Sequence, residues 1–409
     1  MTRLNATVAT LALCAAWGAP ALANGHGHGH GHDHHHGHGD MHVRVFVADA
    51  QAPRLTVFDA DADTLHTLDL PAAARVFAGD DAAVVYAFMG AANSIGLIAS
   101  GLEEEDHGDH AHLNLVAPSL MEVAIEGDTP VHFNSGFGHV AAFFDGSGTA
   151  MLWDGHDLAH GHMEPELVIE TGIPHHGLAL PALDGHLVVG IPAEGERLPV
   201  AVGLFDHDGD EELRVACPGT HGSARSGRFA VFGCTDGIAV IDMAAGTGRH
   251  IPYPAAMGEG TVRNLRGSDA VQAVLADFGP TAMAIIDPGA EDGDFVRIDL
   301  PGPRMAFALS EDGMHGFVLL ADGSLHRFSA LTGAMQASLA EVSSAYGMER
   351  GVVRPMMALA ADMLAVTDPA SGVVTLVDLD EFEVARRVVV GGMPQSLALV
   401  AVPEDEHDH

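Results

Sequence analysis

A repeat of short β-strands is the feature that most constrains how this chain folds. Segments rich in Val, Ala, Leu and Phe alternate with Asp-Gly and Gly-Ser turns, and helical periodicity is scarce, which is typical of an all-β protein. The segments HFNSGFGHVAAFFDGSGTAMLWD from His132 and HGSARSGRFAVFGCTDGIAVID from His221 align in near register. A period of roughly 40 to 50 residues is typical of the blades of a β-propeller. We therefore predict a single β-propeller.

The number of blades follows from the number of repeat starts. Eight starts lie near residues 74, 132, 176, 221, 263, 305, 356 and 396, so we favour eight blades over seven. The start at Ser396 begins a blade that the C-terminus cannot finish, and residues 43–70 have the pattern of its missing strands. Closing a ring with strands from both ends removes free sheet edges. An open array of β-sandwiches is the alternative, but the shared terminal blade argues against it.

The N-terminus has the pattern of a secretory signal peptide. Arg3 provides the positive start, residues 8–17 are mostly apolar, and Ala21-Leu22-Ala23 is a small-x-small cleavage site. We expect cleavage after Ala23 and a periplasmic protein, and no later stretch is long and apolar enough to span a membrane. The predicted regions are the signal peptide (1–23), a disordered His-rich metal-binding arm (24–41), the β-propeller (42–402) and an acidic C-terminal tail (403–409).

Two cysteines remain after the signal peptide is removed. Cys14 leaves with it, and Cys217 and Cys234 stay in a compartment that favours disulfides. We predict that they pair. Two unrelated buried thiols are the alternative, whereas a thiolate zinc knuckle requires tighter spacing than Cys-x16-Cys.

Charge and histidine content point to a metal cation as ligand. The chain has 56 acidic residues against 18 basic ones, which makes nucleic acid an improbable partner and concentrates cations at the surface. Neutral imidazole is a favoured ligand of Zn²⁺, although copper and nickel compete for flexible imidazole sites. An expression tag is the alternative for the arm, but the segment continues directly from the cleavage site. The predicted ligands of the arm are His26, His28, His30, His32, His34, His35, His36, His38 and His42.

Two further histidine triplets lie in loops of neighbouring blades. The insertion LEEEDHGDHAH at 102–112 is too polar to be predicted as a strand, and DGHDLAHGHME at 154–164 occupies the matching position in the next blade. Both follow the third strand of their blades, so we expect one shared metal site on one face. Two solvated acidic loops are the alternative. The predicted ligands are His107, His110, His112, His156, His160 and His162.

The repeat alignment itself provides the most specific hypothesis. His132, His176 and His221 occupy the same position at the start of the innermost strand of three consecutive blades, with His175 beside His176. Such residues line the mouth of a propeller's central channel, so we predict that these histidines bind one zinc ion. A hydrogen-bonded structural role is the alternative for any one of them.

Together these features resemble the AztD family of periplasmic zinc metallochaperones. The resemblance is carried by the signal peptide, the HGHGHGHDHHHGHGDMH arm, the EEEDHGDHAH insertion and the propeller with repeated channel histidines. It implies a protein that stores zinc and hands it to an AztC-like solute-binding protein of a zinc ABC importer. We further expect a monomer without enzymatic activity.

Two other functions remain open from the sequence. Histidine-lined propellers also hold copper redox centres, but this chain has no cupredoxin-like domain and no Cys-containing copper motif. A scaffold that binds protein partners, with the arm as a passive metal buffer, is the second alternative.

Overall fold

The repeats of the sequence form separate four-stranded sheets. The computed structural model describes residues 41–106 and 111–404, and of 104–106 and 111–112 it describes only the backbone. Within these ranges it contains eight four-stranded antiparallel sheets and one two-stranded sheet. The prediction of an all-β propeller with eight blades is confirmed. We number the blades 1 to 7 in chain order from residue 75, and blade 8 closes the ring.

The chain enters through blade 8 and then forms the two blades that matter most for the site. Its first strands are β1 (Met41–Asp49), β2 (Arg54–Asp59) and β3 (Leu65–Asp69). Blade 1 contains β4 (Arg75–Ala78), β5 (Val84–Met89) and β6 (Ser94–Ala99), then the hairpin β7 (Leu102–Asp106) and β8 (Ala111–Leu115), then β9 (Ser119–Glu126). Blade 2 contains β10 (Pro130–Gly136), β11 (His139–Phe144), β12 (Thr149–Asp154), the short helix α1 (Gly155–Ala159) and β13 (Leu167–Glu170).

The remaining blades repeat the same four-strand pattern. Blade 3 contains β14 (Ala179–Pro181), β15 (Leu187–Ile191), β16 (Ala201–Phe205) and β17 (Glu211–Ala216). Blade 4 contains β18 (Ser223–Ser226), β19 (Phe229–Gly233), β20 (Gly237–Asp242) and β21 (Thr247–Pro252). Blade 5 contains β22 (Leu265–Arg266), β23 (Val274–Asp277), β24 (Ala282–Asp287) and β25 (Asp294–Asp299). Blade 6 contains β26 (Arg304–Leu309), β27 (His315–Leu320), β28 (Leu325–Ser329) and β29 (Met335–Leu339). Blade 7 contains β30 (Met357–Ala360), β31 (Met363–Asp368), β32 (Val373–Asp378) and β33 (Glu383–Val389), and β34 (Pro394–Pro403) completes blade 8. Single 3₁₀ turns lie at Gly90–Ala92, Leu183–Gly185 and Ala255–Met257.

The core is divided into layers between neighbouring blades. Each of the eight buried apolar clusters in the described ranges combines side chains of two adjacent blades, including the pair formed by blades 8 and 1. Because both faces of a blade are buried, the middle strands are nearly continuous apolar runs. The first strands of neighbouring blades contact each other, for example β10 with β14 and β34 with β4. The first strand of each blade is therefore the innermost one.

Strands from both ends of the chain close the ring. β1 pairs antiparallel with β34 from Met41 opposite Pro403 to Asp49 opposite Pro394, and blade 8 has the order β3-β2-β1-β34. This confirms the predicted closure. Because β1 pairs with β2 on one edge and with β34 on the other, neither edge of β1 is open for pairing with another chain.

The fold also confirms the predicted pairing of the two cysteines. Cys217 and Cys234 form a disulfide between the ends of β17 and β19, as predicted. In the part of the chain that the structure describes, no helix has the length and apolar character needed to cross a membrane.

Candidate metal centre

Three histidines from consecutive blades meet at one end of the innermost strands. His132 lies in β10, His176 lies three residues before β14, and His221 lies two residues before β18. The register of β10 against β11 shifts between Pro130 and His132, so a bulge lies immediately before the first histidine. Bulges of this kind re-aim a side chain relative to its sheet. The structure thus brings together His132, His176 and His221, which occupy equivalent positions in the sequence repeats.

The distances within this triad are close to those of three imidazoles on one zinc ion. With Zn–N bonds of about 2.0–2.1 Å, tetrahedral ligand atoms lie about 3.3 Å apart and ring centres about 5.2 Å apart. The Nε2 atoms of His132 and His176 are 3.2 Å apart, and their ring centres are 4.7 Å apart. The ring centre of His221 lies 5.5 Å from that of His176 and 6.0 Å from that of His132. A shift of His221 by roughly 1 Å would complete a three-histidine zinc site.

Hydrogen bonds from the outer nitrogens prepare two of the rings for metal binding. The Nδ1–H of His176 donates to Oδ2 of Asp145 at 2.6 Å, and the Nδ1–H of His221 donates to the carbonyl oxygen of Arg263 at 3.0 Å. Each bond fixes the tautomer in which Nε2 carries the free lone pair. Asp145 follows directly after β11, in the next blade from the histidine that it orients. This carboxylate is a residue of the site that sequence reasoning missed.

His132 is held in its neutral form by its surroundings. Burial is the largest cause, followed by the charges of His176, His221 and Arg75, and together they lower the pKa of His132 to about 3. A neutral imidazole is the form that binds a metal ion. Arg75 is anchored beside it because its guanidinium donates to the carbonyl oxygen of Val131.

His175 has a different environment from its neighbour. It is buried, its Nδ1–H donates to the carbonyl oxygen of Ile173 at 2.8 Å, and its ring packs edge-on against Phe143 with centres 4.9 Å apart. Its Nε2 is buried without a hydrogen-bond partner and lies against Gly177, where an added Cβ would be only 2.7 Å away. These contacts place His175 in the packing around Phe143 and Gly177, and its role as a ligand stays a prediction.

The histidine triplet of blade 2 is exposed on and after helix α1. Asp154 caps the helix by accepting from the backbone N–H of Asp157. The rings of His156 and His160 lie one turn apart with centres 4.3 Å apart, and Nδ1 of His162 is 3.5 Å from Oδ1 of Asp157. The buried side chain of Leu158 joins the cluster between blades 1 and 2, so packing fixes where this loop lies.

A separate group of metal-binding residue types lies beside α1. Single ligand atoms of His139, Asp154 and Glu166 all lie within 4.8 Å of one another. The Nδ1–H of His139 donates to the carbonyl oxygen of Phe137 at 2.9 Å, and its Nε2 is 3.1 Å from Oε2 of Glu166. His139 pairs with Gly136, four residues along β10 from His132, which is about 13 Å of strand. This group is therefore at the opposite end of blade 2 from the triad.

Comparison with known proteins now identifies the family. The zinc chaperone AztD of Citrobacter koseri is 32% identical over 382 residues, which are 90% of this chain and 89% of that protein. The chain belongs to the AztD family. A crystal structure of C. koseri AztD matches with a TM-score of 0.82 at 30% identity, covering 90% of this chain and 100% of that one. A structure of apo AztD from C. koseri matches with a TM-score of 0.80 at 28% identity, covering 89% and 100%. No protein-family model matches the chain.

Membership of the AztD family confirms the resemblance that the sequence motifs indicated. More distant structures share only the fold. The dihydro-heme d1 dehydrogenase NirN has a TM-score of 0.58 at 13% identity, covering 87% of this chain and 74% of that one.

The expectation that the insertion in blade 1 of this AztD-family chain contains no strand is wrong. The segment 102–112, which is too polar to be predicted as a strand, contributes to the hairpin β7–β8, with Leu102 opposite Leu115 and Asp106 opposite Ala111. Leu102 is buried in the cluster between blades 8 and 1 and Leu113 packs against that cluster, but most other residues of the two strands are polar, so hydropathy alone does not detect them. His107 and His110 lie outside the described residues, and of His112 only the backbone is described. The shared site of the two loops stays a prediction.

The His-rich arm needs a correction at its last residue. His26, His28, His30, His32, His34, His35, His36 and His38 lie outside the described residues. His42 belongs to β1, where it is buried. His42 continues the histidine pattern of the arm in the sequence, whereas the backbone pairing of β1 with β34 sets where the propeller begins.

Proposed function

We propose that this chain is a periplasmic zinc chaperone that holds zinc at His132, His176 and His221 and passes it to the solute-binding protein of a zinc ABC importer. The observation that carries the proposal is the convergence of three imidazoles from blades 2, 3 and 4, two of them with ligand atoms 3.2 Å apart. Membership of the AztD family supports zinc as the cargo. The family is named for chaperoning zinc, so we assign no catalytic residue and no enzymatic reaction.

Three imidazoles suit a protein that must both bind and release zinc. Structural zinc sites are closed by four protein ligands, whereas a three-ligand site leaves one coordination position open. An incoming side chain of the acceptor can enter that position before any ligand of the donor leaves. Asp145 and the carbonyl oxygen of Arg263 accept from the Nδ1–H groups of His176 and His221. These hydrogen bonds do not depend on zinc, so the two rings stay oriented for metal binding after zinc has left.

The remaining parts of the chain fit the same function. The signal-peptide pattern at residues 1–23 supports a periplasmic location, and the excess of 56 acidic over 18 basic residues attracts cations. We assign the His-rich arm to zinc capture or to contact during transfer. The AztC-like acceptor, the periplasmic location and the monomeric state belong to this proposal.

Single alanine substitutions in the triad test the proposal. A bound zinc ion is worth about 10–16 kcal/mol shared among three or four ligands, so each ligand contributes of order 3 kcal/mol, or about 100-fold in affinity. We expect His132→Ala and His176→Ala each to abolish one tight zinc equivalent in competition with a high-affinity chelator. Transfer to a purified AztC-like protein should fall in parallel.

His207→Ala is the matched control, because that imidazole is 73% exposed on the turn between β16 and β17. Thermal melting of each apo variant separates a lost ligand from a lost fold. Unchanged tight stoichiometry in both triad variants would mean that the triad is not the cargo site, and the propeller would then be a scaffold.

A further inference from the structure

A second candidate metal site lies where the two ends of the propeller meet. His42 is near the start of β1, Asp61 lies just after β2, and Glu404 directly follows β34. One ligand atom of each residue lies within 4.8 Å of the other two. We call these three residues the closure group, because they come from the strands that close the ring.

The group is built on a rigid part of blade 8. Arg44 pairs with Asp59 across β1 and β2, and its guanidinium donates to both carboxylate oxygens of Asp59 at 2.6 Å and 3.0 Å. The same guanidinium donates to the backbone carbonyl oxygens of Ser100 and Val116 in blade 1. His42 lies two residues before Arg44 in β1, where it pairs with Val402 of β34, and Asp61 lies in the turn that directly follows β2, so both are close in the chain to this ion pair.

The imidazole of His42 is unusual because it is buried without a hydrogen bond. It is 6% exposed, and its Nε2 has no hydrogen-bond partner although Oδ1 of Asp59 is 3.1 Å away. On the other side of the ring, Nδ1 is 3.8 Å from Oε1 of Glu404. A neutral imidazole has one N–H and one lone pair, so it can donate to only one of these two carboxylates, and the lone pair that faces the other carboxylate costs free energy. A cation between the lone pairs removes this cost.

We propose that His42, Asp61 and Glu404 bind a divalent cation of the zinc class and thereby clamp the first strand of the propeller to its last. One imidazole with two carboxylates is a donor set that zinc accepts, whereas calcium takes oxygen ligands only. Oδ1 of Asp59 is 3.1 Å from Nε2, on the side of the ring opposite Glu404, where a carboxylate can orient a histidine that binds a metal through its other nitrogen. Along the chain, His42 directly follows the His-rich arm and Glu404 belongs to the acidic tail.

The closure group is separate from the triad. His42 pairs with Val402, at the far end of β34 from Ser396, and Ser396 has the position in blade 8 that His132 has in blade 2. Six residues of strand separate the two levels by about 20 Å. Zinc at the closure group therefore requires neither the triad nor the transfer function.

Local hydrogen exchange of the full-length protein tests the proposal with zinc alone as the probe. At a free zinc concentration 100 times the Kd, local opening of β1 and β34 around the closure group should be suppressed about 100-fold. Backbone amides that exchange only through this opening should then exchange about 100-fold more slowly. We expect that slowing in peptides covering residues 41–46 and 399–404. It should disappear in the double variant Asp61→Asn with Glu404→Gln, which leaves the buried His42 in place.

The variant pair Asp69→Asn with Glu383→Gln is the charge-matched control, because both side chains are exposed carboxylates of blades 8 and 7 outside the group. The control should keep the zinc-dependent slowing, and so should His132→Ala. Diffraction from zinc-soaked crystals at the zinc edge should show an anomalous peak between the three side chains. Equal slowing in the double variant would assign the effect to zinc on the arm and overturn the proposal, as would the absence of slowing in the wild type.

Discussion

Removing the carboxylate of Asp145 should weaken zinc binding without removing a predicted ligand. This carboxylate accepts from the Nδ1–H of His176 at 2.6 Å, on the side of the ring opposite the proposed metal position. Asp145→Ala removes both the hydrogen bond and the negative charge. Asp145→Asn removes only the charge, because its amide oxygen still accepts from the imidazole.

The expected magnitude follows from the geometry. The carboxylate lies about 6 Å from a zinc ion bound at Nε2, and its attraction to a double charge there is about 1.4 kcal/mol at a dielectric constant of 80 and about 5.5 kcal/mol at 20. Carboxylates behind metal-bound histidines are commonly worth 10- to 100-fold in affinity, or about 1.4–2.8 kcal/mol. We therefore expect zinc to bind about 10- to 100-fold more weakly to Asp145→Ala.

Competition titrations against a chromophoric zinc chelator at fixed pH and ionic strength measure this change. If orientation of the ring dominates, Asp145→Asn should recover most of the affinity. If charge dominates, both variants should be equally weak. Wild-type affinity in Asp145→Ala, within about threefold and with an unchanged melting temperature of the apo form, would refute the assignment of His176 as a ligand held by Asp145.

Three further predictions concern the propeller itself. Replacing both Cys217 and Cys234 by Ser should lower the free energy of unfolding by about 3 kcal/mol, because the disulfide closes a loop with a sequence separation of 17. In denaturant titrations, the free energy of unfolding should differ between oxidising and reducing conditions for the wild type but not for the double variant. Burial raises the pKa of Asp368, but hydrogen bonds from Tyr346 and Ser344 outweigh it and leave the pKa below its usual value. This carboxylate thus stabilises the fold above about pH 3.9 and loses that effect as the pH falls through its lower folded pKa, so Asp368→Asn should reduce the melting temperature at pH 7 and differ less from the wild type at pH 3. Deleting residues 394–409 removes β34, which is the partner of β1 and the innermost strand of blade 8. We therefore expect the deletion variant to show no cooperative thermal unfolding by circular dichroism. A cooperative transition at a temperature near that of the full chain would contradict the role of ring closure.

Several features of the chain could be predicted because they depend on local patterns repeated along the sequence. Alternating apolar segments and turn residues indicated the strands, their period indicated the blades, and the incomplete last repeat indicated closure by residues 43–70. The alignment of His132, His176 and His221 needed no further information, because equivalent positions in a propeller meet at the channel mouth. The hairpin β7–β8 escaped detection because its strands contain too few apolar residues to form an alternating pattern.

Other parts of the candidate sites were decided only by tertiary structure. Asp145 reaches His176 because a strand end in one blade lies beside the strand start of the next. His139, Asp154 and Glu166 meet through strand register within one sheet. The sequence by itself thus determined the eight-bladed ring and the residues that repeat around it. Which carboxylates stand behind or beside each histidine was fixed by pairing between distant segments, because side chains far apart in the chain become neighbours only when the strands align and the ring closes.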